Sequence, residues 1–104
     1  MSPAENPTIV GSAEEFEDAV AEGEVLVDFY ADRCAPCEKM ETAIEEVAEE
    51  GVDVVRVDTE ENPGAASEHG VRSVPTLVVF EDGGAVRRAV GARSADGVRG
   101  FVDG

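Results

Sequence analysis

The residues best equipped for chemistry are Cys34 and Cys37, separated only by Ala35-Pro36. Two cysteines three positions apart lie one helical turn from each other, so a small local tightening converts a dithiol into a disulfide. A bridge that closes so few residues removes little entropy from the unfolded chain, which makes it a poor staple. Apolar residues recur after the pair at Met40, Ala43, Ile44 and Val47, the spacing of one helix face. Cys37 lies three residues before Met40 and shares that stripe. Cys34 stands off it, at the helix mouth and open to solvent. Pro36 falls in the first turn, where a missing N–H costs little. The thiolate attacks a disulfide, not the thiol, and a helix N-terminus favours the anion through its unpaired N–H groups and dipole. Cys34 is therefore expected to be the nucleophile. Attack would leave a mixed disulfide at Cys34; Cys37 would then attack the Cys34 sulfur, release the reduced substrate and leave a Cys34–Cys37 bridge.

Asp28 is the next candidate. It interrupts a β-prone apolar run over residues 25–30, on the same face as Leu26 and Tyr30. A carboxylate near a strand end can simply point to water. Buried, its pKa rises towards neutrality, which would let it take the Cys37 proton through a water. Zinc is the competing use of two close cysteines. A structural zinc needs four ligands, and beyond Cys34 and Cys37 the chain offers only one histidine, His69. That residue precedes Gly70 at an expected helix end, where the dipole favours a cation-capable side chain. No metal site is expected. The glutamates of the cysteine helix (Glu38, Glu41, Glu45, Glu46, Glu49 and Glu50) fall off its apolar stripe and read as solvated surface.

The elements that hold these residues can be read in order. Residues 1–7, with Pro3 and Pro7, are expected to be a frayed start, and Thr8-Ile9-Val10 a short edge strand. Ser12-Ala13-Glu14-Glu15 has the form of a capping box before a helix that buries Phe16, Ala19 and Val20 and stops at Gly23. The central strand and cysteine helix follow, with Asp32 and Arg33 in the turn between them and Gly51 as the helix stop. Residues 53–59 read as a strand, Asn62-Pro63 as the start of a short helix, and residues 76–81 as a further strand. Gly83-Gly84 is expected to turn that strand into its hairpin partner over residues 85–90. Ser94 could cap a last helix carrying Val98, Phe101 and Val102 inward, although Gly97 and Gly100 each weaken it by about 1 kcal/mol. The order is βαβαβαββα. Strands separated by helices run parallel and the hairpin closes antiparallel, so the fold class is α/β: a mixed central sheet with helices on both faces. No linker or repeat divides residues 1–104, and a single domain is expected.

Composition narrows the partners. Aspartate and glutamate number 24 against 8 basic residues, a net charge of −16 spread along the chain. Such a field repels nucleic acid and anionic membranes, and neither is expected as a partner. The first residues show no basic and apolar leader, and the apolar runs are too short to span a bilayer, so a cytoplasmic protein is expected. An acidic surface with a single lysine, Lys39, resembles proteins of organisms that keep molar salt in the cytoplasm.

Three stretches, VDFYADRCAPCEKM, DTEENPGAASEHGVRSVPTLVVFEDGG and Gly91 after the last strand, resemble the thioredoxin family. The resemblance covers nearly the whole chain, from Phe16 to Phe101. It implies a thioredoxin fold and a protein-disulfide reductase that exchanges a dithiol for a disulfide. It implies no cofactor beyond the redox-active Cys34–Cys37 pair. Partners would be protein disulfide substrates and a reductase of the thioredoxin-reductase type as electron donor, with the chain acting as a monomer. Asp28 takes the proton-acceptor role in this comparison too. Val74-Pro75 matches the family's cis-proline loop, which faces the cysteines, so the Val74 main chain would clamp an extended substrate by strand addition. Arg33, Ala35, Pro36, Val74, Pro75 and Gly91 are the implied substrate-binding positions. Three departures stand out. Arg33 replaces the usual tryptophan and places a permanent charge beside Cys34, partly offset by Asp32. Ala35-Pro36 replaces Gly-Pro, and Arg56 replaces the lysine near the buried carboxylate, where it would tune the Asp28 pKa. A disulfide oxidase or isomerase, or a binding module with incidental cysteines, are the alternatives.

Overall fold

Residues 6–104 are described by the computed structural model. In chain order the elements are β1 (Thr8–Val10), α1 (Ala13–Val20), β2 (Glu24–Tyr30), α2 (Ala35–Glu49), β3 (Val54–Asp58), α3 (Pro63–Glu68), β4 (Thr76–Glu81), β5 (Gly84–Val90) and α4 (Ala95–Asp103). The strands form one five-stranded sheet in the order β1-β3-β2-β4-β5. β1 and β2 each run parallel to β3, while β4 is antiparallel to both β2 and β5. This is the mixed sheet expected from the element order.

Side chains alternate across a strand, so β2 feeds two cores. Val25, Val27 and Phe29 join Phe16 and Val20 of α1, Ala65 of α3, and Val78 and Phe80 of β4 on one face. Leu26 joins Met40, Ile44 and Val47 of α2, Leu77 and Val79 of β4, and Val98 and Val102 of α4 on the other. Val27, Phe29, Ile44, Leu77 and Val98 are fully excluded from water. α4 forms in spite of Gly97 and Gly100 because burial of Val98 and Val102 outweighs the propensity penalty, and the Ser94 hydroxyl accepts the Gly97 N–H at 3.2 Å.

Three expectations are corrected. Residues 6 and 7 are not frayed: the Asn6 amide donates to Ala48 O and Val52 O at 3.0 and 2.8 Å and accepts the Val54 N–H at 2.9 Å, and a cis bond leads into Pro7. Residues 1–5 lie outside the described residues. The hairpin turn is Asp82-Gly83, not Gly83-Gly84; their φ angles of 48° and 89° have the positive sign that a type I′ turn demands. α1 ends at Val20, before Gly23, and the Ser12 hydroxyl accepts the Glu15 N–H at 3.1 Å. The glutamates of the cysteine helix are exposed, as expected, and Glu46 and the C-cap Glu50 also pair on the surface with Arg99 of α4 at 2.8 and 2.5 Å.

Arginine also fastens the edge of the sheet. Arg87 and Arg88 are neighbours on β5 and so leave it on opposite faces. Arg87 donates to Phe101 O and Val102 O at the end of α4, at 3.1 and 2.6 Å, while Arg88 donates to His69 O and Gly70 O at the end of α3. Helix ends leave carbonyls unpaired, and a cation there also suits the dipole.

Asp82 ties the hairpin to the turn before β2, its carboxylate accepting the Gly23 N–H at 2.8 Å and its own N–H donating to Gly23 O at 3.0 Å. Asp82→Ala removes the first bond and places alanine at positive φ, so a loss of about 1–2 kcal/mol is expected. A chain of this size loses about 4–8 °C of melting temperature per kcal/mol. Asp82→Asn, which keeps the acceptor and tolerates the conformation, should retain most of it in the same thermal melt.

Candidate active site

β2 and α2 meet at the reactive residues. Tyr30 ends the strand, Arg33 adopts a left-handed φ of 59°, and Cys34 is the N-cap of α2. A non-glycine residue at positive φ is uncommon, and here it redirects the chain so that Cys34 sits at the mouth of the helix. Cys34 and Cys37 form a disulfide, their Cα atoms 5.2 Å apart. The Cys37 N–H donates to the Cys34 sulfur at 3.2 Å, so the sulfur fills the capping role usually taken by a hydroxyl. Cys34 is half-buried, not open as expected, since it is both cap and bridge partner; Cys37 is 3% exposed. Ala35 and Pro36 are exposed beside them.

Asp28 is not a surface carboxylate. It is 1% exposed, on the α2 face of the sheet with Leu26 and Tyr30 beside it on β2. Arg56 is its register partner on β3, and Arg56 Nε donates to Asp28 Oδ2 at 3.0 Å. Asp28 Oδ1 is buried without a hydrogen-bond partner among the described residues. Burial raises the Asp28 pKa above its ordinary value; Arg56 opposes that through its charge and hydrogen bond, and Glu41 adds a smaller upward push. Arg56 thus pulls the Asp28 pKa down, and burial outweighs it.

Two residues of this cluster were not marked out by sequence. The Arg56 guanidinium lies 4.1 Å from the centre of the Tyr30 ring, and its NH1 is 3.6 Å from Glu41 Oε2. Glu41 follows Cys37 by four residues on α2, so helical spacing alone could have placed it on the cysteine side. Tyr30, Arg33, Cys37, Glu41 and Arg56 line a cavity of about 120 Å³, which is roomy enough for water.

The loop before β4 closes the other side. Val74–Pro75 is cis, as the resemblance implied; Val74 is half-buried and Pro75 buried. Gly91, at φ 100°, donates its N–H to Pro75 O at 2.9 Å, which holds the loop after β5 against the cis-proline loop. His69 lies away from the cysteines, on the α1 face of the sheet. Its ring packs 5.3 Å from Phe16 and 5.2 Å from Phe80. Among the described residues no group of three histidine, cysteine or acidic side chains is arranged to hold a metal.

A disulfide that caps a helix, with one sulfur half-exposed and the other sealed, can open and close without disturbing the sheet beneath it. That is the requirement of a thiol-disulfide oxidoreductase. Residues 7–104 match the thioredoxin family profile. The chain is 40% identical over 89 residues to thioredoxin from Chlamydia trachomatis, covering 84% of this chain and 87% of that one. It is 48% identical over 71 residues to thioredoxin 1 of Synechococcus elongatus, covering 65% and 66%. A solved structure of a mutant thioredoxin from Halobacterium salinarum superposes with a TM-score of 0.88 at 37% identity, over 97% of this chain and 94% of that one. The chain belongs to the thioredoxin family. It is a protein-disulfide reductase whose redox group is its own disulfide.

The Asp28–Arg56 contact makes a signed prediction. A carboxyl whose folded pKa is raised contributes its full stability below the unfolded pKa of about 3.9, and loses it as pH rises through the folded value. Arg56→Met removes the cation that holds the pKa down. The Asp28 midpoint in a carboxyl NMR titration should therefore move upward, and the stability lost between acid and neutral pH should grow. Asp28→Asn should abolish that loss. An unmoved midpoint in Arg56→Met would break the assignment.

Proposed function

We propose that Cys34 attacks the substrate disulfide and that Cys37 resolves the mixed disulfide, with Asp28 accepting the Cys37 proton. The observation that carries this reading is the asymmetry of the pair, with Cys34 half-exposed at the cap and Cys37 sealed one turn behind it. In the reduced protein the Cys37 N–H that now meets the Cys34 sulfur would stabilise a Cys34 thiolate, and the Arg33 charge next door works in the same direction. The proton leaves Cys37 by way of water and reaches Asp28, whose pKa burial raises above the ordinary carboxylate value. Arg56 sets how strong that base is. The Val74 main chain pairs with an extended substrate segment, held in place by Pro75 and the Gly91 N–H, while Arg33, Ala35 and Pro36 contact the segment from the α2 side. The chain works as a cytoplasmic monomer recharged by a thioredoxin-reductase-type donor.

Trapping separates the two cysteines. With a disulfide substrate, Cys37→Ser should accumulate a stable adduct at Cys34, seen by mass spectrometry, and Cys34→Ser should accumulate none. Equal trapping by the two variants would reverse the division of labour.

The acidic surface is an adaptation to high salt. The support is a net charge of −16 on a 104-residue chain, together with likeness to a thioredoxin of Halobacterium salinarum. Charges repel across about 30 Å at 0.01 M salt but across only about 3 Å at 1 M. A stability of about 5–15 kcal/mol leaves a narrow margin for that repulsion. The melting temperature should climb steeply from millimolar to molar chloride, and a flat profile would refute the adaptation while leaving the dithiol chemistry intact.

A further inference from the structure

Half of the basic residues are consumed inside the fold. Arg56 holds Asp28, Arg87 and Arg88 hold helix carbonyls, and Arg99 holds Glu46, Glu50 and Asp96. The others, Arg33, Lys39, Arg72 and Arg93, have exposed side chains with no hydrogen bond or ion pair among the described residues.

All four gather at one end. Phe29 pairs with Thr76 and Thr76 with Val90, so the last residues of β2 and β5 and the first of β4 are level. Arg33 and Lys39 flank the cysteine pair at the exit of β2. Arg72 precedes Pro75 by three residues at the entry to β4. It lines a groove of about 390 Å³ together with Thr59, Pro63 and Gly70. The Thr59 N–H bonds Tyr30 O at 2.8 Å, which puts the groove at this same end. Arg93 follows Gly91 by two residues, and its N–H donates to the Met40 sulfur at 3.4 Å, bringing that loop to the first turns of α2. Three loops thus present a free arginine around Val74 and Cys34.

We infer that these arginines form a docking rim that selects disulfides flanked by carboxylates. This substrate class rests on the Val74 clamp proposed above. Asp32, Glu38, Asp58, Glu60 and Glu61 share this end without forming ion pairs among the described residues, so it stays weakly negative in a strongly negative molecule. The attraction is therefore short-ranged and acts once the substrate has docked. The −16 field of the whole molecule works the other way, since at a distance it favours cationic substrates.

That opposition provides the test. Three peptide disulfides, alike except for aspartate, glutamine or lysine beside the cysteine, are reduced by the dithiol form in 1 M chloride, where long-range fields are screened. Each rate is divided by that of dithiothreitol with the same peptide, which removes intrinsic differences in reactivity. The aspartate peptide should be faster than the lysine peptide by about twofold, the effect left to exposed ion pairs at this salt. Arg72→Gln with Arg93→Gln should bring the ratio towards one, and Arg72→Glu with Arg93→Glu should invert it, with circular dichroism checking the fold. Equal normalised rates, or a faster lysine peptide, would overturn the rim and leave disulfide reduction standing. Failure to reduce any of the three would bring down the reductase reading, and the rim with it.

Discussion

Everything at the reactive end depends on β2 being held from four directions. It is hydrogen-bonded to β3 on one edge and β4 on the other, and each of its faces is covered by a helical core. A strand held in this way cannot slip by one residue, because every side chain would then change face. The place where it ends is therefore fixed, and so is the mouth of α2 that follows within a short turn. The disulfide inherits that rigidity. Only the first turn of α2 has to adjust as the sulfurs join and separate.

The same confinement gives Asp28 its properties. A carboxylate at the centre of a doubly covered strand loses its water, and a buried charge persists only with a partner. Arg56 is that partner from the neighbouring strand, but it reaches one oxygen and leaves the other bare. Stacking on Tyr30 and the approach to Glu41 share the guanidinium among three groups. A fully satisfied pair would be more stable and a weaker base. The site keeps a poorly solvated oxygen at some cost in stability.

Much of this was legible in residues 24–50, because a β-prone run, a cysteine pair and an apolar stripe at helical spacing are local signals that agree. The helices on both faces of the sheet followed from the element order, and the cis Val74–Pro75 bond from the resemblance. What escaped depends on contacts distant in sequence. Asn6 lies in a proline-containing start, and its three hydrogen bonds reach residues 42 to 48 positions away. Glu41, Glu46 and Glu50 look like ordinary solvated glutamates until β3 and α4 bring Arg56 and Arg99 to them. The hairpin turn lies one residue earlier than the Gly-Gly pair suggests, because aspartate tolerates positive φ and also bonds the Gly23 N–H.

The two arginines at the centre of β5 bear on how the molecule comes apart. Because Arg87 is fixed to the last carbonyls of α4 and Arg88 to those of α3, peeling the edge strand away uncaps a helix in each layer at once. The edge, ordinarily the first part of a sheet to fray, is thereby joined to both helical layers in one cooperative unit. Amide protons of β5 are then shielded by the combined resistance of two helix ends, and the protein opens as a whole where it would otherwise unravel from its rim.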